Sequence, residues 1–255
     1  MNINVLFAFI ASIGTWGLTA LGATTVLFFK NPKQSTLNVT LGFSAGVMIA
    51  ASFWSLLQPA LDIANNTLKT PAYIVVTLGF ILGSIFIWLS DRVVTKTLIK
   101  TNKISLLIMA ITLHNIPEGL VVGVAFGLLK DGFSSTELMS AILIAVGIGL
   151  QNFPEGAAVS LPLRREGYSR KKAFFLGQLS AIVEPVAAVV GAMLVSTIET
   201  FLPFALSFAA GAMIIVSVHE LIPECQQNKD EKPYTATAGI IFGFSVMMLF
   251  DVMLG

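Results

Sequence analysis

The chain has 255 residues, of which 55% are hydrophobic and only 11% charged, with a formal net charge of +1. An ordinary soluble domain carries about 25% charged residues, so this composition excludes a water-soluble globule and makes the lipid bilayer the first partner. The near-neutral total gives no reason to invoke nucleic acid, and the single Cys225 excludes an internal disulfide.

Along the chain the charges act as punctuation: none precedes Lys30, none falls between Lys33 and Asp62, and none between Lys69 and Asp91. Such gaps exceed the roughly 20 apolar residues that cross a bilayer as a helix. The pattern predicts spans near 3–29, 38–61, 72–91, 104–129, 137–163, 173–196, 202–223 and 235–254. The expected fold class is therefore all-α: a polytopic membrane protein with eight transmembrane helices in one domain, 1–255. Met1 to Asn4 carry no basic residue and no cleavage pattern stands out, so the first stretch reads as a helix and not as a secretory leader.

Orientation follows from the loops, because Lys and Arg flanking short spans stay on the cytoplasmic side. Lys30 and Lys33 follow the first span. Arg92, Lys96, Lys100 and Lys103 follow the third, and Arg164, Arg165, Arg170, Lys171 and Lys172 the fifth. Lys229 and Lys232 follow the seventh, which leaves only Lys69 and Lys130 of the 15 basic residues on the other side. Both termini are thus expected outside the cytoplasm.

Four carboxylates fall inside predicted spans: Glu118, Glu155, Glu184 and Glu220. A charge at the middle of a membrane helix costs on the order of 2.5–3.5 kcal/mol even on the lenient insertion scale, so such groups face a polar pathway and need partners. No Lys or Arg accompanies them, which leaves protons or a bound cation. Glu118 and Glu155 sit in matching hexapeptides, His114-Asn115-Ile116-Pro117-Glu118-Gly119 and Gln151-Asn152-Phe153-Pro154-Glu155-Gly156. Their helices are expected to be antiparallel neighbours, so the two half-sites face each other about a pseudo-twofold axis in the membrane plane.

At about 100° per residue, placing His114 at zero puts Asn115 near 100° and Glu118 near 40°, so Glu118 projects between them; the same holds for Gln151, Asn152 and Glu155. Pro117 and Pro154 each remove a backbone donor and free the carbonyls of Leu113 and Leu150. Glu184-Pro185 repeats the pairing of carboxylate and proline and supplies a third anion. A set of one His, carboxylates and amide oxygens suits Zn²⁺, Fe²⁺, Mn²⁺, Co²⁺ or Cd²⁺ and argues against a thiolate-selected ion. Mg²⁺ and Ca²⁺ are more often held by oxygen alone.

At these residues the chain resembles the ZIP family of metal transporters, and within it the bacterial branch often called GufA-like. The resemblance covers the whole chain, through the HNxPEG and QNxPEG motifs, Glu184, and Gly42 to Ser52 on the second helix. It implies a binuclear centre in which His114, Glu118, Gln151 and Glu155 hold one ion, and Asn115, Glu118, Asn152, Glu155 and Glu184 the second, with Met48 near the first. It also implies flow toward the cytoplasm across a bacterial plasma (inner) membrane, often as a homodimer. The implied motion is elevator-like, helices one, four, five and six against the rest. The implied cargo is zinc first, with iron, manganese, cobalt and cadmium beside it; no resident cofactor is implied. The chain departs from the pattern at Asn152, where relatives with the two-metal centre carry Asp, and 92–103 holds no His.

His219-Glu220 near the cytoplasmic end of the seventh span reads either as a helix-end feature or as a secondary metal site on the exit path. Asp251 reads as solvated at the membrane interface. HExxH is missing, and acids shared across a repeat favour passage over hydrolysis, so an enzyme is not expected. The main rivals are an intramembrane metalloenzyme and a proton-driven carrier of an organic solute.

Overall fold

The computed structural model describes residues 3–30, 32–97, 103–129, 134–195, 201–226 and 234–254; the side chains at 94–97, 103–110, 114, 195 and 254 are outside that description. Lys100, Lys130, Lys229 and Lys232, on which part of the expected sidedness rests, lie outside the described residues, as does 98–102 of the loop that lacks His.

Among the described residues every regular element is helical, as lipid demands of a chain that must satisfy its backbone internally. The helices are α1 (Ile3–Phe28), α2 (Gln34–Thr67), α3 (Ala72–Thr97), α4 (Lys103–Gly127), α5 (Ser135–Arg165), α6 (Arg170–Leu194), α7 (Leu202–Gln226) and α8 (Thr235–Leu254). Among the described residues, seven helices are long and apolar enough to cross a membrane, with mean hydropathy from 1.4 to 2.3. α4 has 25 residues, a length of about 37 Å at 1.5 Å per residue, and packs in the midst of the others against α6, α7, α1 and α5.

The sixth span is not the continuous helix expected over 173–196. It is interrupted at Ser180 to Ile182, between Arg170–Leu179 and Val183–Val195. Pro185 is the cause: it lacks the N–H that would bond Ala181 O, and its ring crowds that carbonyl. Glu184 N takes Ala181 O instead, at 3.0 Å, a tighter three-residue turn. Pro117, Pro154 and Pro162 stay inside unbroken helices.

Two helices widen into π turns, Ser52–Leu57 in α2 and Ser217–Leu221 in α7. Each turn opens at the last residue of a matching octapeptide, Ala45-Gly46-Val47-Met48-Ile49-Ala50-Ala51-Ser52 or Ala210-Gly211-Ala212-Met213-Ile214-Ile215-Val216-Ser217. Ser52 and Ser217 donate Oγ–H to Met48 O and Met213 O, at 2.7 and 2.9 Å. A serine bonded back to the fourth preceding carbonyl competes with the helix ladder, so the repeat and the π turns share a local origin.

The helices sort into two bundles of four: α1, α4, α5 and α6 pack chiefly on one another, as do α2, α3, α7 and α8. Glycine draws the division. A Cβ on Gly156 would lie 2.0 Å from Thr19 O, and one on Gly123 2.0 Å from Ala188 O, so α5 touches α1 and α4 touches α6 backbone to backbone. In the second bundle Gly46 stands likewise 2.1 Å from Ile240 O, and Gly211 1.9 Å from Phe80 O. Among the described glycines, each whose added Cβ would come within 3.0 Å of a backbone atom meets a helix of its own bundle. Small residues permit such approach in membranes, where tight packing drives association. Across the seam Gly147 of α5 instead faces the Ser55 side chain of α2.

At the basic end, Arg164 Nε donates to Lys30 O at 2.7 Å and an Arg170 guanidinium nitrogen to Leu27 O at 2.9 Å. The turn between α5 and α6 is thereby tied to the carboxyl end of α1, where cations complement the helix dipole.

Candidate metal centre

Asn115 and Glu118 come from α4, Gln151, Asn152 and Glu155 from α5, and Glu184 from the start of the second half of α6, all at most 1% exposed. The His114 side chain lies outside the described residues; its backbone is in α4, directly before Asn115. The centre therefore sits inside the first bundle, at the level of its proline-bearing turns.

Among the described side chains the two half-sites meet. Gln151 Nε2 donates to Glu118 Oε1, joining the two hexapeptides. Asn152 Nδ2 donates to both oxygens of Glu184 at 2.9 Å, and Thr15 of α1 donates its hydroxyl to Glu184 Oε2. Asn115 Nδ2 donates at 3.0 Å to Ser180 O, a carbonyl in the interruption of α6. The break in α6 thus brings Glu184 into the centre and offers an acceptor that fixes Asn115.

Each of the three amides has its NH₂ group committed, while Asn115 Oδ1, Gln151 Oε1 and Asn152 Oδ1 are buried without a hydrogen-bond partner. Flipping any of them would set oxygen against a carboxylate or carbonyl oxygen, so the network dictates these orientations. An unmatched buried acceptor costs about 1–3 kcal/mol, and three of them beside Glu118 and Glu155 form a donor set that a cation would complete. Oxygen from carboxylates and amides is the chemistry of a hard to borderline divalent ion.

Met213 touches the centre from the other bundle, its sulfur 3.7 Å from Gln151 Nε2. Met48, at the same place in the first octapeptide, is fully buried on α2. The motif search passes over Met213; the octapeptide repeat is the signal that identifies it. Thr15 is one of three buried hydroxyls on α1, with Ser12 and Thr19, and no motif singles it out.

His219 and Glu220 lie apart from this centre, in the π turn of α7, with Asp91 of α3 as a third member. Their ligand atoms fall within 4.8 Å of one another, with His219 exposed and the two acids half-buried. At the opposite end, a cavity of about 660 Å³ opens between the bundles, lined among others by Ser55 and Asp62 of α2, Leu150 of α5 and Asp251 of α8. Asp251 is not simply solvated, as its position near the external end of the eighth span suggested. Ser55 donates to Oδ1 and Oδ2 is buried without a partner.

An all-α polytopic fold with a buried carboxylate and amide centre between ionisable clusters at its two ends defines an integral membrane protein built to handle cations. The chain belongs to the ZIP zinc transporter family: residues 98–251 match the ZIP Zinc transporter description. It is 37% identical to zinc transporter ZIP11 of Homo sapiens over 99% of this chain and 98% of that one. It is also 34% identical to zinc transporter GufA of Myxococcus xanthus over 96% and 98%, and 35% identical to zinc transporter ZIPB of Bordetella bronchiseptica over 100% and 83%. The resemblance seen in the paired motifs is therefore a family membership, and it reaches past the bacterial branch. The protein is a transporter of divalent metal ions, not an enzyme.

Proposed function

We propose that the protein carries zinc toward the cytoplasm through the centre formed by His114, Asn115, Glu118, Gln151, Asn152, Glu155 and Glu184. Iron, manganese, cobalt and cadmium are the other ions its donors suit. The observation that carries this reading is the set of three buried amides, each with its nitrogen fixed and its oxygen without a partner, beside Glu118 and Glu155.

The division into two bundles supports the elevator-like alternating access that the resemblance implies. All the centre's carboxylates and amides belong to α4, α5 and α6, which with α1 make backbone-to-backbone contacts at glycine, and in this reading the four helices move as one body. The ion arrives by the cavity holding Asp62 and Asp251 and binds between Glu118 and Glu155. It leaves past Asp91, His219 and Glu220 when the first bundle slides along the second. Met48 and Met213 border the centre on the stationary side. In this reading the chain is one domain of eight transmembrane helices in a bacterial plasma (inner) membrane, with its basic loops cytoplasmic and both termini outside. The resemblance adds a homodimer, which the mass of the detergent-solubilised particle tests.

Uptake into proteoliposomes loaded with a metal-sensitive dye tests the reading. Zinc influx is expected for the unsubstituted protein and its loss for Glu118→Ala. Correctly folded protein that binds zinc and gives no influx would overturn it.

A further inference from the structure

The resemblance implies two ions in the centre, but the hydrogen bonds assign only one. We infer that this transporter binds a single ion, and that Thr15, Asn152 and Glu184 form a metal-free latch in the place of a second. The inference rests on the transport reading above and specifies the stoichiometry of its site.

Glu184 is fully buried and accepts three hydrogen bonds from two donors: Asn152 Nδ2 reaches both of its oxygens at 2.9 Å, and the Thr15 hydroxyl reaches Oε2. A cation cannot occupy the space between an N–H donor and the carboxylate it serves, because the proton already stands on that line. The same Asn152 amide has a longer contact to Thr15 O, at 3.4 Å, which holds its nitrogen on this side. Its oxygen is consequently turned away from Glu184, buried and without a hydrogen-bond partner. Asn152 therefore serves two purposes: its nitrogen closes the latch and its oxygen faces the remaining donor set.

Charge leads to the same count. Glu118 and Glu155, as carboxylates, balance one divalent ion, and the amide oxygens of Asn115, Gln151 and Asn152 complete its surroundings without adding charge. A second divalent ion would need further anions, and Glu184 is the one other carboxylate among the centre's residues. The latch also has a mechanical result. Thr15 lies on α1, Asn152 on α5 and Glu184 on α6, so the moving bundle is stapled at its core by protein groups, whether or not an ion is bound.

Equilibrium dialysis of the full-length protein against Zn²⁺ followed by metal analysis tests this. The background is His219→Ala, so that the cluster with Asp91 does not contribute. The quantity read is the zinc per chain lost when Glu118→Gln and Glu155→Gln are introduced together. One ion is expected for the otherwise unsubstituted centre. Asn152→Asp, which turns the donor into a further anion facing Glu184, is expected to raise the value to two. Should Asn152→Asp not fold, the count in the unsubstituted centre decides the matter alone. Two ions in the unsubstituted centre, or a folded Asn152→Asp still holding one, would each overturn the inference and leave transport standing. A value of zero would overturn the transport-site reading and the inference together.

Discussion

Gln151 donates its Nε2–H to Glu118 Oε1 and keeps its own Oε1 buried without a hydrogen-bond partner. One amide thus steers a carboxylate across the α4–α5 contact and offers an oxygen to the same centre. Gln151→Leu, close in size, removes both actions. Zinc affinity is expected to fall by roughly ten- to a hundredfold, the range seen when groups that orient metal ligands are lost. In the proteoliposome assay this reads as a raised KM, with flux restored at high zinc.

The seam between the bundles is where motion is expected, and it can be locked. A Cβ built on Gly147 lies 3.4 Å from Ser55 Cβ, near the roughly 3.5–4.5 Å found in disulfides. With Cys225→Ser to remove the native thiol, oxidised Ser55→Cys/Gly147→Cys is expected to halt zinc flux, and a reductant to restore it. Full flux through protein shown to be cross-linked would mean that the bundles need not slide.

Glycines inside a bundle and glycines toward lipid should respond oppositely to one added methyl group. Gly123→Ala sets a Cβ 2.0 Å from Ala188 O, whereas nothing lies within 4 Å of a Cβ on Gly14. Overpacking typically costs about 1–3 kcal/mol, so Gly123→Ala is expected to lower Tm measurably in detergent. Gly14→Ala is expected to hold or slightly raise it, since Ala has the better helix propensity.

Asp91 and His219 come from different helices yet share one cluster with Glu220. If they act as a unit on the departing ion, Asp91→Asn and His219→Ala should each slow flux several-fold, and the double substitution should be little worse than either alone. Residues that share partners couple in this non-additive way. Multiplying effects in the double variant would indicate two unconnected roles.

The helical spans were legible because lipid imposes one rule on every segment: about 20 apolar residues, closed by charge. The main carboxylates were legible for a related reason. Helical spacing puts His114, Asn115 and Glu118 on one side, and the hexapeptide recurs with Gln151, Asn152 and Glu155. Pro185 was visible beside Glu184, but whether it would kink or break α6 was not, since Pro117 and Pro154 leave their helices whole. The outcome depends on whether a neighbouring group, here Asn115 Nδ2 donating to Ser180 O, satisfies the freed carbonyl.

Sequence by itself therefore determined the solvent, the helical class and the candidate residues for the ion, because each is written in local composition or in a period along one helix. The tertiary structure alone decided which helices form each bundle, that Asp91 joins His219, that Met213 meets Gln151, and that Thr15 closes on Glu184. Those relationships arise between side chains far apart in the chain. They depend on how closely two backbones approach, a distance set jointly by the glycines of both partners and by neither helix alone.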